Sequence, residues 1–462
     1  MAPTPNTSSL GTNSFGTSPL GTNLFGTDGI RGTIGSGFFV PETLTALGRA
    51  LGRWACERYG ETPNILLIHD TRISADEVKT ALMHGLLTAP IMVYDGQVLP
   101  TPAAAHLMRQ ATPTFSAAVI ISASHNPYQD NGIKIIDAAS GKLALTDELR
   151  ISELSFQELA HKQITTAQLA GDNKLFTDAA ARYCAAICHL FPPRFLQGKK
   201  IVLDTANGAT YQVAPQIFTQ LGANVITINN IPNGYNINEK CGALHLEQLQ
   251  AAVVQEAADI GFAFDGDGDR LMAVTANGTV KDGDDILALL SDHPTYATTK
   301  HIVGTIMSNE GLARFLEGRK KQLLRTQVGD KYVADRLLAE QLVLGGEPSG
   351  HIILRDLVAT GDGILVALKV LETIALTGNK NFETFTKYPQ LTTNLIVTKK
   401  EDLTREPFAG YIRTVKNGLS SGRIEVRYSG TEPVLRIMAE ADTLEHAQAA
   451  CQQLAHYFSH HA

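Results

Sequence analysis

Two stretches of this 462-residue sequence concentrate side chains that could do chemistry. The first is FDGDGDR, which sets Asp265, Asp267 and Asp269 at alternate positions behind an apolar run. Alternate side chains of an extended chain point the same way. Gly266 and Gly268 add room for the backbone to bend three carboxylates onto one ion. Such hard oxygen donors suit Mg2+, which keeps its other positions for water or phosphate oxygens. The D-x-D-x-D start also fits an EF-hand loop. That option fails, because the sixth position is Arg270 rather than Gly and the twelfth is Ala276 rather than Glu. Arg270 suits a phosphate oxygen beside the ion, or simply pairs with an aspartate.

The second is ISASHNPYQDNGIK, residues 121–134, where a strand runs into a polar loop holding Ser122, Ser124, His125 and Lys134. A Ser–His–Asp triad is the obvious way to activate a serine. Adjacent residues leaving an extended strand diverge, however, so His125 is poorly placed to serve Ser124. Lys134 with a lowered pKa and His125 both remain candidate proton acceptors for a reacting hydroxyl.

Three further loops bear polar clusters. VRYSGTEPVLR supplies Arg427, Ser429, the Gly430 amide, Thr431 and Arg436, a plausible cradle for a phosphate dianion. GGEPSGH offers Glu347, Ser349 and His351 at alternate positions, where a carboxylate and a hydroxyl suit sugar hydroxyls; His351 alone reads as structural. FGTDGIRG puts Asp28 and Arg31 in a glycine-rich segment from which Arg31 can reach a phosphate. The run GRKK, 318–321, reads as the solvated, cationic end of a helix. Cys184 and Cys188 sit one helical turn apart without a second pair, so they read as buried helix positions rather than a zinc half-site.

The elements that must position these loops repeat. NILLIHDTR, KKIVLDTANG and HIVGTIMSN each give an apolar strand, then a turn, a helix and a second apolar strand. Each unit continues through another helix to a third strand: AAVIISAS, DIGFAFDGDG or LVLGGEPSG. Every third strand runs into one of the polar clusters, at the end where open α/β sheets bind ligands. The last segment differs, with two strands flanking SGTEP and a closing amphipathic helix. The expected fold is therefore α/β: three similar mixed-sheet α/β/α domains and a smaller C-terminal α+β domain around a central cleft. Expected bounds are a disordered leader over 1–23, then domains over 24–172, 173–273, 274–384 and 385–462. GTNSFGT in that leader is echoed by GTNLFGT just before FGTDGIRG.

Composition excludes several functions. Net charge is −7, and no basic stripe offers itself to nucleic acid. No window approaches the apolar length of a membrane span. Five scattered cysteines suit a reducing, cytoplasmic compartment.

Together, FGTDGIRG, ISASHNPYQDNGIK, FDGDGDR, GEPSGH and RYSGTEPVLR resemble the α-D-phosphohexomutase superfamily in order and spacing. NGATYQVAP, PNGYNIN, GTIMSNEGL, VGDKYV and TGDGI are similar to its bacterial phosphoglucosamine mutase branch. The resemblance implies an isomerase, an intramolecular phosphotransferase, that interconverts glucosamine 6-phosphate and glucosamine 1-phosphate. The alternatives are a phosphomannomutase/phosphoglucomutase or a non-catalytic phosphosugar binder. It implies a phosphoserine at Ser124, a sugar 1,6-bisphosphate intermediate, and Mg2+ held by Asp265, Asp267, Asp269 and the phosphoserine. It further implies that Glu347 and Ser349 bind the sugar. Arg427, Ser429, Gly430, Thr431 and Arg436 would grip the non-reacting phosphate. Arg31, His125 and Lys134 would surround the transferring group. The partner is a phosphosugar, without nucleic acid or membrane, for a monomer or homodimer.

Overall fold

The computed structural model describes residues 23–461 except 27, 139–140, 161–168, 398 and 429–433. Residues 1–22 of the expected leader, and Ser429, Gly430 and Thr431 of the expected phosphate cradle, lie outside the described residues. Asn23, counted in the leader, is held in place: its amide donates to Glu148 Oε2 at 3.0 Å.

Three sheets follow one plan. In the first, Met92–Val98, Asn64–His69 and Ala117–Ile121 run parallel, and Asp130–Asp137 returns antiparallel beside the last. In the second, Asn224–Ile228, Lys200–Asp204 and Ile260–Phe264 run parallel, and Leu271–Thr275 returns. In the third the order is Gln322–Thr326, His301–Thr305 and Leu344–Gly346, with Ile352–Leu354 returning. Helices make the crossovers, as parallel pairing requires. In the first sheet these are Ala75–Leu86 and Thr101–Met108. The central strands are apolar runs because both faces are covered: Ala117–Ile121 and Ile260–Phe264 are buried at every position. The mixed-sheet expectation is met.

The fourth sheet is antiparallel throughout, in the order Gln390–Ile396, Val434–Ala441, Gly422–Tyr428. Helix Leu444–His461 packs on it through Cys451, Leu454 and Phe458. This unit has its own core, whereas one continuous apolar cluster joins the other three from Leu66 to Phe382. Burying a side chain such as Phe262 or Phe264 contributes about 1.5–3 kcal/mol, and both are fully enclosed.

The ladders carry the first sheet to Leu175 and the second to Lys281, where edge strands Asp172–Leu175 and Val280–Lys281 join them. Two expectations need correction. GRKK is exposed at Gly318, Arg319 and Lys320, as expected of a helix end, but not at its last residue. Lys321 is buried, and its ammonium donates to the carbonyls of Tyr296, Ala297 and Thr299 at 2.8–2.9 Å. The acidic stretch is not extended: residues 265–270 form a turn.

Candidate active site

Each of the three chemical loops fills the same place, between the last parallel strand of a sheet and its antiparallel return. In the second unit, Gly268 N–H closes onto Asp265 C=O at 3.1 Å. Gly268 sits at φ +73°, a conformation that favours glycine. The turn, rather than strand alternation, brings Asp265, Asp267 and Asp269 together: one oxygen of each lies within 4.8 Å of the others, all buried.

The cluster is tied to the first unit. Ser124 Oγ donates to Asp265 Oδ2 at 2.6 Å, and Thr101 Oγ1 donates to Asp267 Oδ2 at 2.6 Å. Lys134 Nζ lies 2.9 Å from Asp267, 3.2 Å from Asp269 and 3.0 Å from Asp28. His351 Nδ1, from the third unit, approaches Asp269 Oδ1 at 3.6 Å. Arg270 Nε is 4.0 Å from the same oxygen. Oδ1 of Asp267 and Oδ1 of Asp269 are buried without a hydrogen-bond donor. Buried anionic oxygens left without a donor suit a cation. Three carboxylates and a serine oxygen make the all-oxygen donor set of a hard divalent ion.

The electrostatics follow from this crowding. Burial, then Asp267 and Asp269, pushes the Asp265 carboxyl well above its ordinary range. Burial also works against charge on Asp269, but Lys134 and His351 outweigh it and hold Asp269 well below that range. Of the two candidate proton acceptors, Lys134 would need a lowered pKa. Instead, although burial opposes its charge, Asp267, Asp269 and Asp28 raise it well above the ordinary lysine value. Burial, then Arg270 and Arg31, lowers His125 to about 4, so its imidazole is neutral. Burial works against charge on His351, but Asp269 and then Asp330 outweigh it, so His351 is raised.

His125 also departs from expectation. Ser124 sits at φ +52°, which turns the chain and leaves His125 Nδ1 3.3 Å from Ser124 Oγ. The divergence expected of an extended strand does not apply at a left-handed residue. Ser122 lies behind, donating to Asp70 Oδ2 at 2.6 Å and accepting the Ser124 N–H at 2.9 Å.

A cleft of about 570 Å³ opens over these groups, lined by Asp28, Arg31, His125, Asp269, Arg270, Glu347, Ser349 and His351 among others. Glu347 and Gly350 close a second tight turn, and Glu347 Oε1 accepts the Gly329 N–H at 2.9 Å. Arg31 pairs with Asp28 and reaches Asn126 Oδ1 at 3.3 Å. Of the expected residues, Arg31, His125, Asp269, Arg270, Glu347, Ser349 and His351 line this space; Ser124, Lys134, Asp265 and Asp267 are buried beside Asp269. Arg427 and Arg436 are elsewhere, paired directly across two strands of the fourth sheet, and neither lines the cleft.

Sequence reasoning missed Arg72, Thr101 and Asn238. Arg72 and Asn238 donate to backbone carbonyls of the serine loop, and Thr101 touches Asp267. The only signals were that Arg72 ends NILLIHDTR and Asn238 ends PNGYNIN.

The motifs and their geometry agree with known proteins. Models for phosphoglucomutase/phosphomannomutase α/β/α domains I, II and III match residues 22–162, 181–278 and 282–391, and that for the C-terminal domain matches 393–456. The phosphoglucosamine mutase of Hydrogenovibrio crunogenus is 42% identical over 424 residues, covering 90% of this chain and 93% of its own. That of Nitrosococcus oceani is 40% identical over 442 residues, covering 94% and 96%. A phosphoglucomutase/phosphomannomutase family protein of Burkholderia thailandensis, solved by crystallography, shares the fold with TM-score 0.76 at 22% identity, covering 94% of this chain and 98% of its own. With four domain models matched in order and relatives at this identity along nearly the whole chain, the protein belongs to the phosphoglucomutase/phosphomannomutase family of phosphohexomutases.

Proposed function

We propose that this enzyme interconverts glucosamine 6-phosphate and glucosamine 1-phosphate through phospho-Ser124 and a sugar bisphosphate. The observation that carries it is a serine hydroxyl 2.6 Å from one member of a buried three-aspartate cluster, of which Asp269 lines a cleft together with Arg31, Arg270, Glu347 and Ser349. A pure binding protein has no use for a nucleophile there. On this reading the protein works in the cytoplasm, on the route to UDP-N-acetylglucosamine and peptidoglycan.

Asp265, Asp267, Asp269 and the Ser124 oxygen would hold Mg2+, which when bound neutralises phosphoryl charge. The rest falls to the chain's own groups. A sugar hydroxyl attacks phospho-Ser124; the new P–O bond forms as the serine P–O bond breaks, and the serine oxygen keeps the electron pair. The bisphosphate turns over in the cleft, and its other phosphoryl group returns to Ser124. Such transfer depends on alignment and charge more than on covalent chemistry. Arg31 and Arg270 line the cleft and suit the equatorial phosphoryl oxygens. His125 is neutral and faces the same space, so it can accept the attacking hydroxyl's proton. Lys134, a cation among carboxylates, supplies charge rather than basicity. Glu347 and Ser349 address sugar hydroxyls. Arg427 and Arg436, opposite one another on two strands of the fourth sheet, would grip the non-reacting phosphate, to which guanidinium groups are suited.

Turnover of glucosamine 1-phosphate, glucose 1-phosphate and mannose 1-phosphate tests the assignment. The amino sugar should be the best substrate; if it is the poorest by about tenfold or more, a binding difference of some 1.4 kcal/mol, the assignment fails.

A further inference from the structure

We infer that Arg72 is a positioning residue for phosphoryl transfer: its guanidinium fixes the backbone of the serine loop and so aims the Ser124 hydroxyl at Asp265. The inference rests on the phosphoserine reading above. Arg72 and Asp70 side chains are wholly buried and joined through Nε at 2.8 Å. The remaining N–H groups go to four carbonyls of one loop. Nη1 donates to Pro127 and, at 2.9 Å, to Asp130. Nη2 donates to Ser124 at 3.0 Å and Asn126 at 2.8 Å. All five guanidinium donors are used, in the planar fork that only arginine offers.

The loop needs this fixing. Ser124 holds φ +52°, a conformation that non-glycine residues adopt only when surroundings impose it. Asp70 adds to the constraint through Ser122, whose hydroxyl accepts the Ser124 N–H. From the second unit, Asn238 Nδ2 donates to the carbonyls of Ser124 and Asn126 at 2.9 and 3.1 Å. Both faces of the Ser124 peptide are therefore held while its hydroxyl faces the carboxylates. Arg72 does not line the cleft, so its effect passes through the serine loop.

Arg72→Lys keeps the charge and loses the fork. We expect kcat to fall on the order of 10²-fold, the cost of misplacing a reacting group by about 1 Å, with KM for the phosphosugar within about twofold. Amide exchange over 122–130 should rise about tenfold or more while strand Ile260–Phe264 and the fourth unit stay as in the parent. A merely structural role would lower the folded fraction and leave kcat per folded molecule unchanged. Asn238→Ala, which buries no charge, is the second variant in case Arg72→Lys does not fold; it should show the same split more weakly. Parent-like kcat in a folded variant, or an unchanged loop in exchange, overturns the inference. If the parent enzyme turns over no hexose phosphate, the function reading fails separately, and exchange alone decides whether Arg72 fixes the loop.

Discussion

The loops of the second and third units are built alike and do different things. Asp265–Gly268 and Glu347–Gly350 are both tight turns, closed by the N–H of a left-handed glycine onto the carbonyl three residues back. Both join a last parallel strand to its antiparallel return. They also touch: Leu271 N–H donates to Gly350 C=O at 3.0 Å, and His351 meets Asp269. Yet one gathers three carboxylates on a point, and the other sends Glu347 and Ser349 into the cleft. The repeated scaffold thus fixes where a loop sits, and the residues within the turn decide its chemistry. Pro348 fits this view, since its fixed φ suits the second position of a turn.

Asp267→Asn should break the second loop most severely. Loss of a metal carboxylate should cut turnover on the order of 10³-fold and abolish Mg2+ binding by calorimetry, with the fold intact by circular dichroism. Retained Mg2+ affinity would contradict the cluster's role. Glu347→Gln acts on the third loop and keeps the acceptor for Gly329. It should raise KM roughly tenfold, the worth of a hydrogen bond to a charged group, with kcat little changed in steady-state assays. If instead kcat falls and KM holds, the two loops share one chemical role.

The smallest effect sharpens how the third loop is supported. It rests on helix Gly283–Ser291, where Gly283 N–H donates to Pro348 C=O at 3.2 Å and a Cβ at Gly283 would lie 1.9 Å from Glu347 C=O. Burial, then Asp282, pushes the next residue, Asp284, up to about 8 from 3.8. Between those values the folded protein holds a proton that the unfolded chain has released. Asp284 therefore contributes stability at acidic pH that is lost as pH rises from about 4 to about 8. Thermal melts across this window should fall less steeply with pH in Asp284→Asn; an unchanged slope would remove Asp284 as the cause.

What was legible in the sequence was local. Buried parallel strands announce themselves as short apolar runs, so AAVII and IGFAF located the sheets and the loops after them. Three aspartates in five positions marked a candidate cation site whatever the backbone did. Contacts that depend on backbone shape were not legible. The positive φ of Ser124 has no residue signature, so the 3.3 Å approach of His125 could not be read. Arg72 binds carbonyls, which every residue carries. Lys134 lies well over a hundred positions from Asp267 and Asp269, so its raised rather than lowered pKa emerged only from packing. Lys321 failed for the same reason: its partners are three carbonyls after Ser291.

The central claim is that Ser124 carries the phosphoryl group. Intact-mass measurement and peptide mapping of the purified protein test it most directly, with Ser124→Ala assayed alongside. The account predicts phosphate on Ser124 in part of the population and loss of isomerisation in the variant. Phosphate on Ser122 instead, or undiminished turnover by Ser124→Ala, would contradict it.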